Sequence, residues 1–286
     1  METLRYSYCM EVHAMNKIAR ADSLMEAFAT RTGVTGAQPP RRYLWTDAFA
    51  VCNFLGLHRV LAQPRHLEWA LALVEQVHDV LGSYAEGDAR RGWLDGADDQ
   101  EHRLHPTRRG LRIGKKRTER APSEPLDERL EWERDGQYFH YLTRWIHALE
   151  QVARVTRDRR YYVWAVELFL AAHSGFVASD RAGRGTLRMY WKMDVDLSRP
   201  LVPSMGQHDP LDGWITGMRL RESRFANEDD RGALARPIGE FREMCRSGGW
   251  TTRDPLGIGG LLTDAWRLDG IVAQAEDVTH SQIADL

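Results

Sequence analysis

The sequence predicts an all-α fold built from antiparallel helical hairpins, on three observations. Four aspartates each stand just ahead of an apolar segment rich in small residues: Thr46-Asp47-Ala48-Phe49-Ala50, Arg134-Asp135-Gly136-Gln137-Tyr138, His208-Asp209-Pro210-Leu211-Asp212-Gly213 and Arg253-Asp254-Pro255-Leu256-Gly257. The last two share Asp-Pro-Leu and lie 45 residues apart, about the length of one helical hairpin repeat. Third, strongly apolar helical segments are followed across short breaks by amphipathic ones, as an inner helix and its outer partner would be. Aspartate is a favoured helix N-cap, proline fits the first turn and a helix N-terminus attracts negative charge, so each motif has a purely structural reading beside any functional one.

The elements follow in order. Met10, His13, Ala14, Ile18, Ala21, Leu24, Met25 and Phe28 recur at helical spacing and predict an amphipathic helix over 10–30. Gly33, Gly36 and Pro39-Pro40 break it. Residues 47–57 are nearly all apolar, and after Pro64 the stripe Leu67, Ala70, Leu71, Val74, Val77 and Leu81 marks the outer partner. The unit recurs at 136–155, where Tyr138, Leu142, Trp145, Leu149 and Val152 share a seam, with 160–176 as its partner. A third pair is expected over 210–221 and 233–245, and 256–268 begins a fourth. Alternation over 187–197 is the one strand signal, and as an extended segment it would point Lys192, Asp194 and Asp196 to one side. Residues 95–134 depart from the plan. They are charged, punctuated by Pro106, Gly110, Gly114, Pro122 and Pro125, and read as a solvated excursion over one end of a single domain spanning 1–286.

Composition excludes several function classes. Lys+Arg 39 against Asp+Glu 41 gives no global basic or acidic bias, so nucleic acid and anionic membrane are not expected partners. The basic run Arg103, Arg108, Arg109, Arg112, Lys115, Lys116, Arg117 and Arg120 is answered locally by Glu124, Asp127, Glu128, Glu131 and Glu133. Cys9, Cys52 and Cys245 show neither metal spacing nor a disulfide framework, and no run approaches the length of a membrane span, so the reading is a cytoplasmic protein. His102 and His105, with Asp98 and Asp99, lack a full ligand set, and Gly257-Ile258-Gly259-Gly260 follows no strand. No metal and no cofactor is expected.

Tyr43-Leu44-Trp45-Thr46-Asp47, Asp135-Gly136-Gln137-Tyr138-Phe139-His140-Tyr141 and His208-Asp209-Pro210-Leu211-Asp212-Gly213 resemble the inner-helix starts of the six-hairpin glycosidase-like superfamily, over roughly residues 43–268. The resemblance implies an (α/α) toroid or partial toroid, with relatives among unsaturated glucuronyl hydrolases and sugar 2-epimerases. It also implies a sugar pocket at the end holding the inner-helix starts.

Glycoside hydrolysis usually needs one protonated and one ionised carboxyl group. Asp135 and Asp209 are the first candidates, each leading an inner helix with a histidine nearby. Trp45, Trp191 and Trp250 offer stacking faces, and Asp47, Gln137, Lys192, Asp194, Gln207, Asp212 and Asp254 complete the expected lining for a small-molecule or oligosaccharide ligand. Epimerisation is the alternative, with His140 and His208 as bases on opposite faces of a sugar carbon. A third reading is a non-catalytic helical scaffold. Oligomeric state is left open by the sequence.

Overall fold

The computed structural model describes residues 2–179, 187–204, 206–246 and 248–284, with side chains from 15 to 271 within those spans. The Met10, His13 and Ala14 part of the first apolar stripe, and Cys9, therefore lie outside the described side chains. In chain order the elements are α1 (Glu2–Arg31), α2 (Leu44–Leu61), α3 (Pro64–Leu81), α4 (Asp99–Leu104), α5 (Glu128–Glu131), β1 (Gln137–Tyr138), α6 (Phe139–Thr156) and α7 (Arg159–Phe176). They continue with β2 (Val177–Ser179), β3 (Leu187–Met189), β4 (Lys192–Met193), α8 (Asp209–Arg221), α9 (Glu228–Cys245) and α10 (Pro255–Ala284).

Three helical hairpins, α2/α3, α6/α7 and α8/α9, form the body, and α10 packs on α8. Each hairpin turn has a local cause. Ala62 and Arg157 adopt left-handed φ of 52° and 60° after α2 and α6. Pro64 then opens α3, while the Asp158 carboxylate accepts the Arg160 amide at 2.9 Å to open α7. A reciprocal capping box between Asn227 and Asp230 starts α9, five residues earlier than the apolar pattern predicts.

The first helices of the hairpins lie side by side in the order α2, α6, α8, with α10 next, and the second helices back them. The core fills the gap between these rows, with Leu44, Val51 and Phe54 meeting Leu142, Trp145 and Leu149, backed by Leu73, Val77, Tyr162 and Phe169. Trp145 is fully buried and its indole N–H donates to His78 Nε2 at 3.1 Å. Burial and the neighbouring His102 push the His78 pKa down to about 3, keeping it the neutral acceptor that this bond requires.

Two segments differ from expectation. The stretch 95–134 is not solvated throughout: Leu111 and Ile113 are fully buried. Its backbone staples two helix ends and the residue before β1, since Leu44 N–H donates to Ile113 O (3.1 Å), Arg112 N–H to Leu81 O (3.0 Å) and Ile113 N–H to Gly136 O (2.8 Å). Its flanks do neutralise locally, through Arg120–Glu131 at 3.1 Å and Arg134–Glu124 at 2.7 Å. The alternating stretch 187–197 is not one strand. β3 pairs with β2 and β4 with β1, both antiparallel, and between them the chain changes partner.

Gly213 and Gly217, one turn apart on α8, set the spacing of the third hairpin. A Cβ there would lie 2.6–2.8 Å from Phe241 and Ile238 of α9 and Phe169 of α7. Alanine favours helix over glycine by about 1 kcal/mol, but overpacking costs about 1–3 kcal/mol. Gly217→Ala is therefore expected to lower stability in a denaturant titration, and an increase would show that α8 is not in contact as described.

Candidate functional site

The four aspartate motifs that look alike in sequence have four different fates. Asp254 is an ordinary cap, its Oδ2 accepting the Gly257 amide at 2.7 Å. Asp47 lies within the first turn of α2 and reaches back to the Tyr43 amide at 2.9 Å, with Arg42 3.8 Å away. Burial pushes its pKa up to about 6. Asp135 leads no helix: it precedes β1, fully buried, and takes Arg112 Nη1 at 2.5 Å and the Gly114 amide at 3.0 Å. Asp209 is the exception. It is the first residue of α8, and its Oδ2 is buried without a hydrogen-bond partner among the described residues.

That carboxyl is packed against the chain before it, where a Cβ on Gly206 would fall 2.0 Å from Oδ2. Burial and the nearby charges of Asp212 and Asp264 push the Asp209 pKa up to about 8, against the opposing pull of Arg144. Asp212, one turn along α8, faces the opposite way electrically. Thr143 O–H donates to its Oδ2 at 2.5 Å and Arg144 Nη2 at 3.1 Å, while Arg267 Nη1 donates to Oδ1 at 2.8 Å. Burial alone would raise its pKa, but the two guanidiniums and these hydrogen bonds hold it below the usual carboxylate range. Asp264 completes the cluster, 3.3 Å from Arg267 and 3.7 Å from Arg144, with a pKa raised to about 7 by burial and Asp212. Two carboxyl groups on one helix start are thus driven apart, one protonated and one ionised at neutral pH.

His140 stands over this cluster on the first turn of α6. Burial and Arg144 push its pKa down to about 4 in spite of Asp212, so it is a neutral imidazole at pH 7. Its ring belongs to an aromatic row across the helix starts. Trp45 is 5.7 Å from it, Tyr138 5.4 Å on the other side, Trp191 stacks on Tyr138 at 5.0 Å with planes 2° apart, and Trp132 lies 5.1 Å further on. Tyr43 and Tyr141 share a hydroxyl hydrogen bond of 2.6 Å beside Trp45.

The structure brings Asp209, Asp212, His140, Trp45 and Trp191 to this end of the molecule. A second group, His208, Gln207, Trp250 and Asp254, forms the adjoining bend. His208 Nε2 lies 3.3 Å from Trp250 O, and Gln207 Nε2 donates to Gly249 O at 2.6 Å. The others are engaged elsewhere. Gln137 is spent on backbone, accepting Leu111 N–H at 2.9 Å and donating to Arg109 O and Val195 O. Lys192 is buried in Glu131 Oε1 (2.9 Å), Glu131 O (2.6 Å) and Arg134 O (3.0 Å). Asp194 turns the chain by accepting Ser198 N–H at 2.7 Å and Ser198 O–H at 2.8 Å, whereas Asp196 accepts Tyr84 O–H at 2.6 Å, so no common acidic face forms.

Arg144, Asp264, Arg267, Tyr138 and Trp132 are not among the site residues that the sequence singles out. The available signal was an Asp264–Arg267 pair, three residues apart, inside an otherwise apolar helical stretch. Among the described residues no group of three or more His, Cys, Asp or Glu side chains could hold a metal, and no helix is long and apolar enough to cross a membrane. Comparison with known proteins returns no matching family model, no matching curated relative and no matching solved structure.

The raised Asp209 pKa has a measurable sign. Between the ordinary value of about 4 and the folded value of about 8, the folded chain holds a proton that the unfolded chain has lost. Its contribution to stability therefore falls as pH rises across that window and levels off above it. Asp209→Asn, always neutral, should gain on wild type in Tm from pH 5 to pH 8, by about 2–4 °C for each kcal/mol. A Tm difference that stays constant with pH would mean that Asp209 ionises normally.

Proposed function

We propose that the chain is a carbohydrate-active, glycoside hydrolase-like enzyme whose reacting groups are Asp209 and His140. The observation that carries the reading is Asp209: a buried carboxyl with an unpartnered oxygen and a pKa pushed up to about 8, one turn from an arginine-held, ionised Asp212. Asp135 is not the second group in this scheme, because Arg112 and Gly114 occupy its oxygens. His140, neutral with a pKa near 4, takes that place.

The step balances as an ordinary hydrolysis. Asp209 gives its proton to the glycosidic oxygen as the bond from that oxygen to the anomeric carbon breaks. Water bonds to the anomeric carbon and loses a proton to His140. Solvent then returns a proton to Asp209 and removes one from His140. Arg144 and Arg267 keep Asp212 ionised, and that charge both holds the proton on Asp209 and favours cationic character developing nearby. Trp45 and Trp191, both half-buried, supply flat faces suited to sugar C–H surfaces.

In this reading the row α2, α6, α8, α10 is the inner wall of a partial (α/α) toroid, and the pocket lies at its helix-start end. The free thiols of Cys52 and Cys245 suit a reducing cytoplasm. A second reading, epimerisation, is favoured by one observation: a neutral imidazole and a protonated carboxyl both feel the charges of Asp212 and Arg144, and removal and return of a sugar carbon-bound proton need one such acceptor and one such donor.

A panel of aryl glycosides of neutral hexoses and hexuronic acids, assayed with Asp209→Asn and Asp135→Asn, separates the roles. Asp209→Asn is expected to lose about 10²–10⁴-fold in turnover with its fold intact. Asp135→Asn should instead lose stability, up to about 3–5 kcal/mol, by weakening a buried ion pair. Turnover by Asp209→Asn equal to wild type sinks the hydrolase assignment. Solvent deuterium entering a free sugar without hydrolysis would move the assignment to epimerisation.

A further inference from the structure

Beyond the reacting cluster, the aromatic row ends in a cavity of about 190 Å³ lined by Leu126, Trp132, Tyr138, Trp191 and Val202. Drug-sized ligands occupy pockets of about 300–1,000 Å³, so this one suits a single ring-sized group. Its walls are prepared for stacking. Trp191 is held edge-on by its indole N–H donating to Ser204 Oγ at 2.7 Å, and lies parallel to Tyr138 at 5.0 Å. Trp132 is 61% exposed, a large apolar surface left open at the mouth.

Lys192 and Glu131, the buried charged groups at this cavity, are already committed. Lys192 is shared among Glu131 Oε1, Glu131 O and Arg134 O, and the second Glu131 oxygen takes Arg120 at 3.1 Å. The exposed Glu128 stands at the rim. A ring bound here meets faces rather than reacting groups. The cavity is three ring contacts away from His140, through Trp191 and Tyr138 at centroid separations of 5.1, 5.0 and 5.4 Å.

We propose that the Trp132 cavity is a remote stacking subsite, and that the substrate is an oligosaccharide with one unit parked there while a different unit lies at Asp209 and His140. This rests on the carbohydrate reading and adds to it the substrate's minimum length, which exceeds one unit. Binding energy from the parked unit then serves to position the reacting one.

The test is a fluorescence titration of the full chain with glucose, galactose, mannose and glucuronate, and with the di- and trisaccharides built from them. Wild type, Trp132→Ala and Trp132→Phe are compared; Trp132 is exposed, so neither variant disturbs the core. The expected result is that one series gains about tenfold or more in affinity from mono- to oligosaccharide, about 1.4 kcal/mol. Trp132→Ala should remove that gain and leave the monosaccharide affinity unchanged, and Trp132→Phe should restore most of it. Equal affinity at every length, with no effect of Trp132→Ala, overturns the remote subsite and leaves the carbohydrate reading standing. A loss that is equal for mono- and oligosaccharides also overturns it, because the cavity would then hold the only bound ring. No binding of any saccharide at any length overturns the carbohydrate reading and the subsite together.

Discussion

The arrangement depends on a charge cluster buried where α6, α8 and α10 meet. Arg144 comes from α6, Asp212 from α8, and Asp264 and Arg267 from α10, with all four almost wholly out of solvent. Helix α10 has little else to hold it among the described side chains. Leu256, Leu262 and Trp266 are exposed, and Ile271 is its one buried large apolar residue. Buried ion pairs are poor sources of net stability, but breaking one leaves an uncompensated charge at a cost of about 3–5 kcal/mol. The cluster thus acts as a register device: α10 fits on α8 in the position that satisfies Asp212.

The same charges, together with burial, shape the chemistry available beside them. Two guanidiniums stabilise one carboxylate, and Asp212 takes that place with hydrogen bonds to both oxygens. Asp209, one turn earlier and packed against Gly206, has an Oδ2 with no hydrogen-bond partner among the described residues and keeps its proton instead. His140, placed between the aromatic row and Arg144, is pushed the other way and stays neutral. Burial is the larger cause of both shifts, and it leaves a proton donor and a proton acceptor near the same charges. The loop around Arg112 does separate work: Ile113 O accepts from Leu44 N–H at the start of α2, and Asp135 and the Gln137 amide tie the same loop to the segment that leads into α6, where His140 meets Trp45.

Much of the fold was legible because helical periodicity reports one-dimensional burial. The seam Leu142, Trp145, Leu149 and Val152 is buried as its spacing requires, and the helix pairs fall where the apolar and amphipathic stretches alternate. The loop 95–134 was misread because its charges dominate its composition, while the residues that matter, Leu111 and Ile113, are two apolar side chains in a run of arginines and lysines. Site residues were harder for a related reason. An aspartate before a helix looks the same in sequence whether it caps, pairs or is left orphaned; Asp254, Asp135 and Asp209 differ only in what tertiary contacts bring to their oxygens. Lys192 and Asp194 seemed available because strand alternation says which side a residue faces, not that Glu131 or the Ser198 turn already waits there.

The central claim is that Asp209 is protonated at neutral pH beside an ionised Asp212. Carbon-13 NMR of the aspartate side-chain carboxyls, assigned with Asp209→Asn and followed from pH 4 to pH 9, observes this directly. The account predicts that the Asp209 signal titrates near pH 8, while Asp212 stays ionised throughout. An Asp209 signal already in its ionised position at pH 5 would contradict it, and with it the acid role on which the proposed chemistry rests.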